Sequence, residues 1–170
     1  PPPGAPTPPP GAPPTGWVPP AARAQRSGLA LGHGQIVALV GAGLVLLSGW
    51  LNWFEVEGGD SGSAYLVPAK LLIDNQITDD AGLNTGILVL LCAALVVAGA
   101  LARQVPWLAV VGGGIAVVIA LLFMFQVNGL ASDFDVALFD FMGFAPLLTV
   151  LGGAAAVVGG VLVLSQPRRP

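Results

Sequence analysis

His33 and Cys92 are the only histidine and the only cysteine in the 170-residue chain. A hydroxyl or thiol nucleophile needs a base within hydrogen-bond reach, yet His33 precedes an apolar stretch near Arg26 and Cys92 lies in the middle of another. We read His33 as a cytoplasmic interface residue and Cys92 as an inert small hydrophobe. One Cys and one His also exclude an internal disulfide framework, a His/Cys metal site and an internal haem ligand pair. Asp133, Asp135 and Asp140 could gather a cation only weakly, because they lack the glycine turn and the terminal glutamate of a calcium loop. Solvated acids that set topology are the expected role. The residues thus call for no catalytic group, no metal, no cofactor and no enzyme.

These few polar groups sit in a chain that is 55% hydrophobic and 9% charged, with a formal net charge of −3. A typical soluble domain is about 25% charged, so the expected class is an integral membrane protein. Four apolar segments, 35–54, 83–102, 105–127 and 141–164, each supply the roughly 20 residues that cross a bilayer core. None has an Asp, Glu, Lys or Arg in its interior, and each such residue near a helix centre would cost about 2.5 to 3.5 kcal/mol. A buried helix of a soluble bundle needs a polar outer face, and ILVLLCAALVVAGALA (87–102) has none. The polar residues of the spans, Ser48, Asn84, Thr85, Gln126 and Thr149, are uncharged. A proton pump or ion-coupled transporter ordinarily carries an intramembrane carboxylate or base, which argues against both.

Charge placement sets the expected orientation. With both termini cytoplasmic, the inside segments carry Arg23, Arg26, Arg103, Arg168 and Arg169, while the outer loops carry all nine acids and only Lys70. Residues 1–20 hold eleven prolines among Gly, Ala and Thr, a composition that favours extended polyproline II and buries no core. The expected organisation is a disordered, proline-rich cytoplasmic tail (1–27), a four-helix transmembrane domain (28–167) and a basic cytoplasmic C-terminus (168–170) in a bacterial plasma membrane. No signal-peptide pattern opens the sequence, and the start at Pro1 instead of Met leads us to expect residues upstream of it. Arg103 and Gln104 are almost all that separates the second and third spans, which makes those two an antiparallel hairpin.

Small residues recur every fourth position: Gly34, Ala38, Ala42; Ala94, Ala98, Ala102; Gly112, Ala116, Ala120; Gly152, Ala156, Gly160. Such spacing lines one helix face and lets backbones approach closely, which is how helices associate in lipid. The glycine runs 112–114 and 152–153 place the closest contact between the third and fourth spans. Aromatic residues gather at the outer side. Trp50, Trp53, Phe54, Phe134, Phe139 and Phe141 are the candidate contact to a partner, with an ordinary interfacial belt as the alternative. In the first outer loop, VPAKLLID (67–74) puts Pro68 at a helix start with Leu71 and Leu72 on one side, a short amphipathic helix lying on the membrane or on the bundle.

With the proline-rich tail, the GWLNWFEVEG exit of the first span (49–58) and the YLVPAKLLID loop in place, the chain resembles the small four-helix membrane proteins of Actinobacteria. The resemblance rests on layout and on the Trp50/Trp53 pair. Heavy use of Ala, Gly, Val, Pro and Arg agrees with a GC-rich bacterial genome. Some proteins of that style are accessory subunits of the respiratory supercomplex of cytochrome bcc and cytochrome aa3 oxidase, so the resemblance implies an attachment role toward other membrane subunits and lipid, with no nucleic acid. The alternatives are a component of an envelope transport or channel assembly, or a lipid-handling factor. A claudin-like comparison fails, because the first outer loop has no cysteine pair.

Overall fold

The computed structural model describes residues 31–55, 61–73, 83–102, 104–133 and 142–166. The expected proline-rich tail, most of the loop acids, the aromatic residues Phe134, Phe139 and Phe141, and the basic C-terminus lie outside the described residues. The described chain forms an all-α bundle of four helices: α1 (His33–Trp50), α2 (Thr85–Leu101), α3 (Trp107–Asp133) and α4 (Ala145–Leu164). Three of them, α1, α3 and α4, are long and apolar enough to cross a membrane, and α2 is an apolar helix of 17 residues. Their outward side chains are apolar too, Val40, Leu47, Leu91, Val118, Leu151 and Val158 among them. Lipid, not water, suits such a surface. The chain is a multi-pass membrane protein.

Local chemistry explains where each helix begins and ends. At α1 the Gln35 side chain accepts from the Gly32 N–H (2.9 Å) and its amide donates to the Ala100 carbonyl near the end of α2 (2.7 Å). One polar side chain thereby satisfies two backbone groups that a helix terminus leaves open. Asn84 caps α2 by accepting from the Ile87 N–H at 2.9 Å, the usual role of Asn at that position. Pro106 precedes α3 and Pro146 sits in the first turn of α4, where a missing N–H costs nothing.

The helices do not stop where the apolar segments do. α1 ends at Trp50, short of the expected residue 54, because Asn52–Phe54 turns into a strand, β1. It pairs antiparallel with β2 (Gly62–Ser63). Phe54 also bridges Met142, and the Gly143 N–H donates to the Trp53 carbonyl at 3.1 Å, so the chain ahead of α4 is tied to β1 and α4 starts at Ala145 instead of 141. α3 continues as helix beyond 127 to Asp133, since a helix leaving the bilayer needs no further apolar residues. After β2 come two 3-10 turns, Ala64–Leu66 and Ala69–Leu72. The second stands where an amphipathic helix was expected, and Leu71 and Leu72 are buried against the bundle.

Around the bundle the order is α1, α2, α3, α4 and back to α1, with little contact across either diagonal. The most extensive interface is between α1 and α4, followed by α3–α4, where the glycine runs meet through Gly113 and Gly153. Partners run antiparallel: Gly34 faces Gly159 and Gly41 faces Gly152 across α1–α4, while Gly113 faces Gly153 across α3–α4. Gly32 at the start of α1 therefore lies against Gln166 beyond α4, and both described ends emerge on one side. We call this the termini end and the opposite one the loop end.

Candidate functional site

The loop end holds the largest buried side chains and the few polar groups of the interior. Trp53 is 0% exposed. Its ring meets Phe123 of α3 edge-on, centroids 4.9 Å apart at 74°, and its indole N–H donates to the Ser48 carbonyl at 2.8 Å. That carbonyl belongs to the last turn of α1, where no helical partner exists, so the indole closes the helix end from inside. The surrounding layer is Val45, Val67, Leu71, Leu72, Val89, Val127 and Met142, drawn from the outer loop and from helices α1 to α3.

One hydrogen-bond couple ties α1 to α4 beneath this layer. The Thr149 hydroxyl donates to Ser48 Oγ at 2.7 Å, with the Ala145 carbonyl at 3.0 Å as its other acceptor, and the Ser48 hydroxyl donates to the Val45 carbonyl at 2.7 Å. Both residues are fully buried. The couple thus pairs each buried hydroxyl with an acceptor inside the bundle. Thr85 Oγ1 at the start of α2 is buried with no hydrogen-bond partner among the described residues. Among the described residues no three His, Cys, Asp or Glu side chains stand close enough to hold a metal ion. His33 is exposed at the termini end, and Cys92 is buried in α2, away from it.

The expected partner contacts separate on this geometry. Trp50 is 71% exposed and Phe54 half-buried, whereas Trp53 faces the interior and offers a partner no surface. The reason is the strand: after α1 ends, the chain reverses and carries the Trp53 ring back over the helix end. Phe134, Phe139 and Phe141 lie outside the described residues. Of the other aromatics near this end, Phe125 and Phe144 are exposed and Phe123 is buried.

The packing residues form a connected set. Gly112, Ala116, Ala120, Gly152, Ala156 and Gly160 are all buried. A Cβ on Gly113 would stand 2.6 Å from the Gly153 carbonyl oxygen, and one on Gly41 would stand 2.5 Å from that of Gly152, so these backbones are in van der Waals contact. Ala94 and Ala98 face outward instead, and α2 packs through Val89, Cys92, Ala93, Val96, Gly99 and Ala100. The sequence singled out neither the Ser48–Thr149 couple nor Gln35. A usable signal existed: Ser48 and Thr149 lie at matching depths from the same ends of two otherwise apolar spans. Comparison with family models, curated proteins and solved structures finds no match to the chain.

Proposed function

We propose that the protein is a non-enzymatic accessory or scaffold subunit that attaches to a larger complex within a bacterial plasma membrane, both termini cytoplasmic. The observation that carries this reading is the use made of the interior. Its polar hydroxyls Ser48 and Thr149 are spent on each other and on backbone carbonyls, and small residues bring the helices into direct contact. Such a bundle is built to be a rigid body with a large apolar exterior, a form suited to binding lipid and neighbouring subunits. An actinobacterial respiratory supercomplex is the assembly to test first, following the resemblance in layout. The exposed aromatic residues Trp50, Phe125 and Phe144 are the contacts that this reading offers to a partner. Purification in mild detergent followed by mass spectrometry tests it. A large membrane partner at fixed stoichiometry supports the attachment role, and a homogeneous assembly of this chain alone that conducts ions in a planar bilayer overturns it.

A further inference from the structure

Helix lengths differ around the bundle in a way that the outer loop answers. At 1.5 Å per residue, the 17 residues of α2 and the 18 of α1 reach about 26 and 27 Å, short of the ~30 Å hydrocarbon core, while the 27 residues of α3 reach ~40 Å. On the α1–α2 side the helices alone leave the loop end of the core uncovered. A bilayer would thin there unless another apolar element supplied the missing height.

The loop places an apolar element at these helix ends. The Tyr65 ring fits the seam between α1 and α2 at the level of Gly49 and Gly86; a Cβ on Gly86 would stand 2.5 Å from Tyr65 Cδ1. Tyr65 also packs against Trp50 with centroids 5.4 Å apart. From this anchored turn the chain turns large apolar side chains outward. Leu66 is 68% exposed, Ile73 85% and Leu83 53%, and Leu47, Ile87 and Leu91 of the helices α1 and α2 are exposed apolar residues as well. Exposed Lys70 lies three residues before Ile73, a spacing that places two side chains of a 3-10 turn on the same side, and its aliphatic stem suits an interfacial level.

Non-helical backbone enters apolar surroundings only when its hydrogen bonds are made internally. Here they are. The Val67 N–H donates to Ala64 (3.2 Å), Ala69 to Leu83 (2.9 Å), Leu71 to Pro68 (3.0 Å), Ile73 to Lys70 (3.0 Å) and Thr85 to Val67 (2.8 Å), all onto carbonyl oxygens.

From these observations we propose that the lip formed by Tyr65, Leu66, Ile73 and Leu83 is a lipid-binding surface, immersed at the acyl–headgroup boundary of the leaflet at the loop end. It adds apolar surface at the loop end beside α1 and α2, where the first turn packs, and beside α3, where the second turn packs, and it does so whether or not the chain attaches to a partner. The test uses the full chain reconstituted in phospholipid vesicles, with Cys92→Ser removing the only thiol. An environment-sensitive fluorophore is attached through Leu66→Cys, Ile73→Cys or Leu83→Cys. Leu90→Cys on the outward face of α2 and Ser61→Cys at an exposed loop position are the lipid and water references. Phospholipids brominated on their acyl chains should quench the Leu66 and Ile73 labels to an extent comparable with the Leu90 label, with iodide access well below that of the Ser61 label. The Leu83 label should behave as these two do. Iodide quenching of the Leu66 and Ile73 labels equal to that at Ser61 overturns the proposal. Shielding of those labels from both quenchers overturns it as well, because a second copy of the chain would then cover the lip.

Discussion

The two ends of the bundle solve the same packing problem by opposite means. At the termini end the core is Ala38, Ala42, Val96, Ala100, Ala109 and Ala156, small groups that let backbones touch. At the loop end it is Trp53, Phe123, Val127, Leu71, Leu72 and Met142, and a good part of that filling comes from outside the helices. Close backbone contact gains dispersion along the whole helix without side-chain entropy, which suits a place where no hydrophobic effect drives association. The loop end works more like a soluble core, with rings and branched chains interdigitated. A large side chain should therefore be indispensable at one end and intolerable at the other.

The largest expected effect tests the loop end. Trp53→Ala removes the biggest ring of that layer and leaves the Ser48 carbonyl without its indole donor, so it should cost about 3 to 5 kcal/mol. The measurement is reversible unfolding in mixed micelles followed by circular dichroism. A loss under about 1 kcal/mol would mean that the layer collapses onto the gap and that the contrast between the ends is false. At the other extreme of the comparison, Gly41→Val pushes a branched side chain into the backbone of α4 and should cost about 2 to 3 kcal/mol in the same assay. Tolerance of that change would show that α1 and α4 can separate without penalty.

The Ser48–Thr149 couple lies between the two regimes. A double-mutant cycle with Ser48→Ala and Thr149→Val should return a coupling of about 0.5 to 1.5 kcal/mol, as interhelical hydrogen bonds in membranes usually do. Coupling near zero would assign the α1–α4 contact to the glycines alone. The smallest effect is expected at Gly43, where a Cβ would meet nothing within 4 Å on the outward side of α1. Gly43→Ala should be neutral or stabilising by up to about 1 kcal/mol through helix propensity and the unfolded chain. Equal damage from Gly41→Ala and Gly43→Ala would remove the distinction between the buried and outward faces.

The sequence made the helices legible because a membrane-crossing helix has to present about 20 apolar residues in succession, and hydropathy counts them directly. It was silent on the direction that an apolar residue takes once the helix has ended. Trp53 and Trp50 are three residues apart and chemically alike, yet one seals the core and the other faces outward. A three-residue strand shows no periodicity from which a face could be read. The small-residue triplets illustrate the same limit. Ala38, Ala116 and Ala156 are buried, but the equally spaced Ala94 and Ala98 are not, since alanine is common on any face of such a chain. The long-range bond between Ser48 and Thr149 depended on which spans are neighbours, and four apolar segments leave that choice open.

That neighbour choice also governs the order in which the molecule can be finished during synthesis. The most extensive partner of the first helix is the last one made, and the Ser48 and Thr149 hydroxyls are separated by 101 residues of chain. At elongation rates of about 5 to 20 residues per second, the first helix waits roughly 5 to 20 s in the membrane before its main partner has been translated. Until the fourth helix is made, the glycine face of the first helix lacks its Gly152 and Gly159 partners, and the Ser48 hydroxyl lacks Thr149. The nascent chain must be shielded or kept beside the insertion machinery until the fourth helix arrives. Truncation after the third helix would leave the first helix inserted without its most extensive partner.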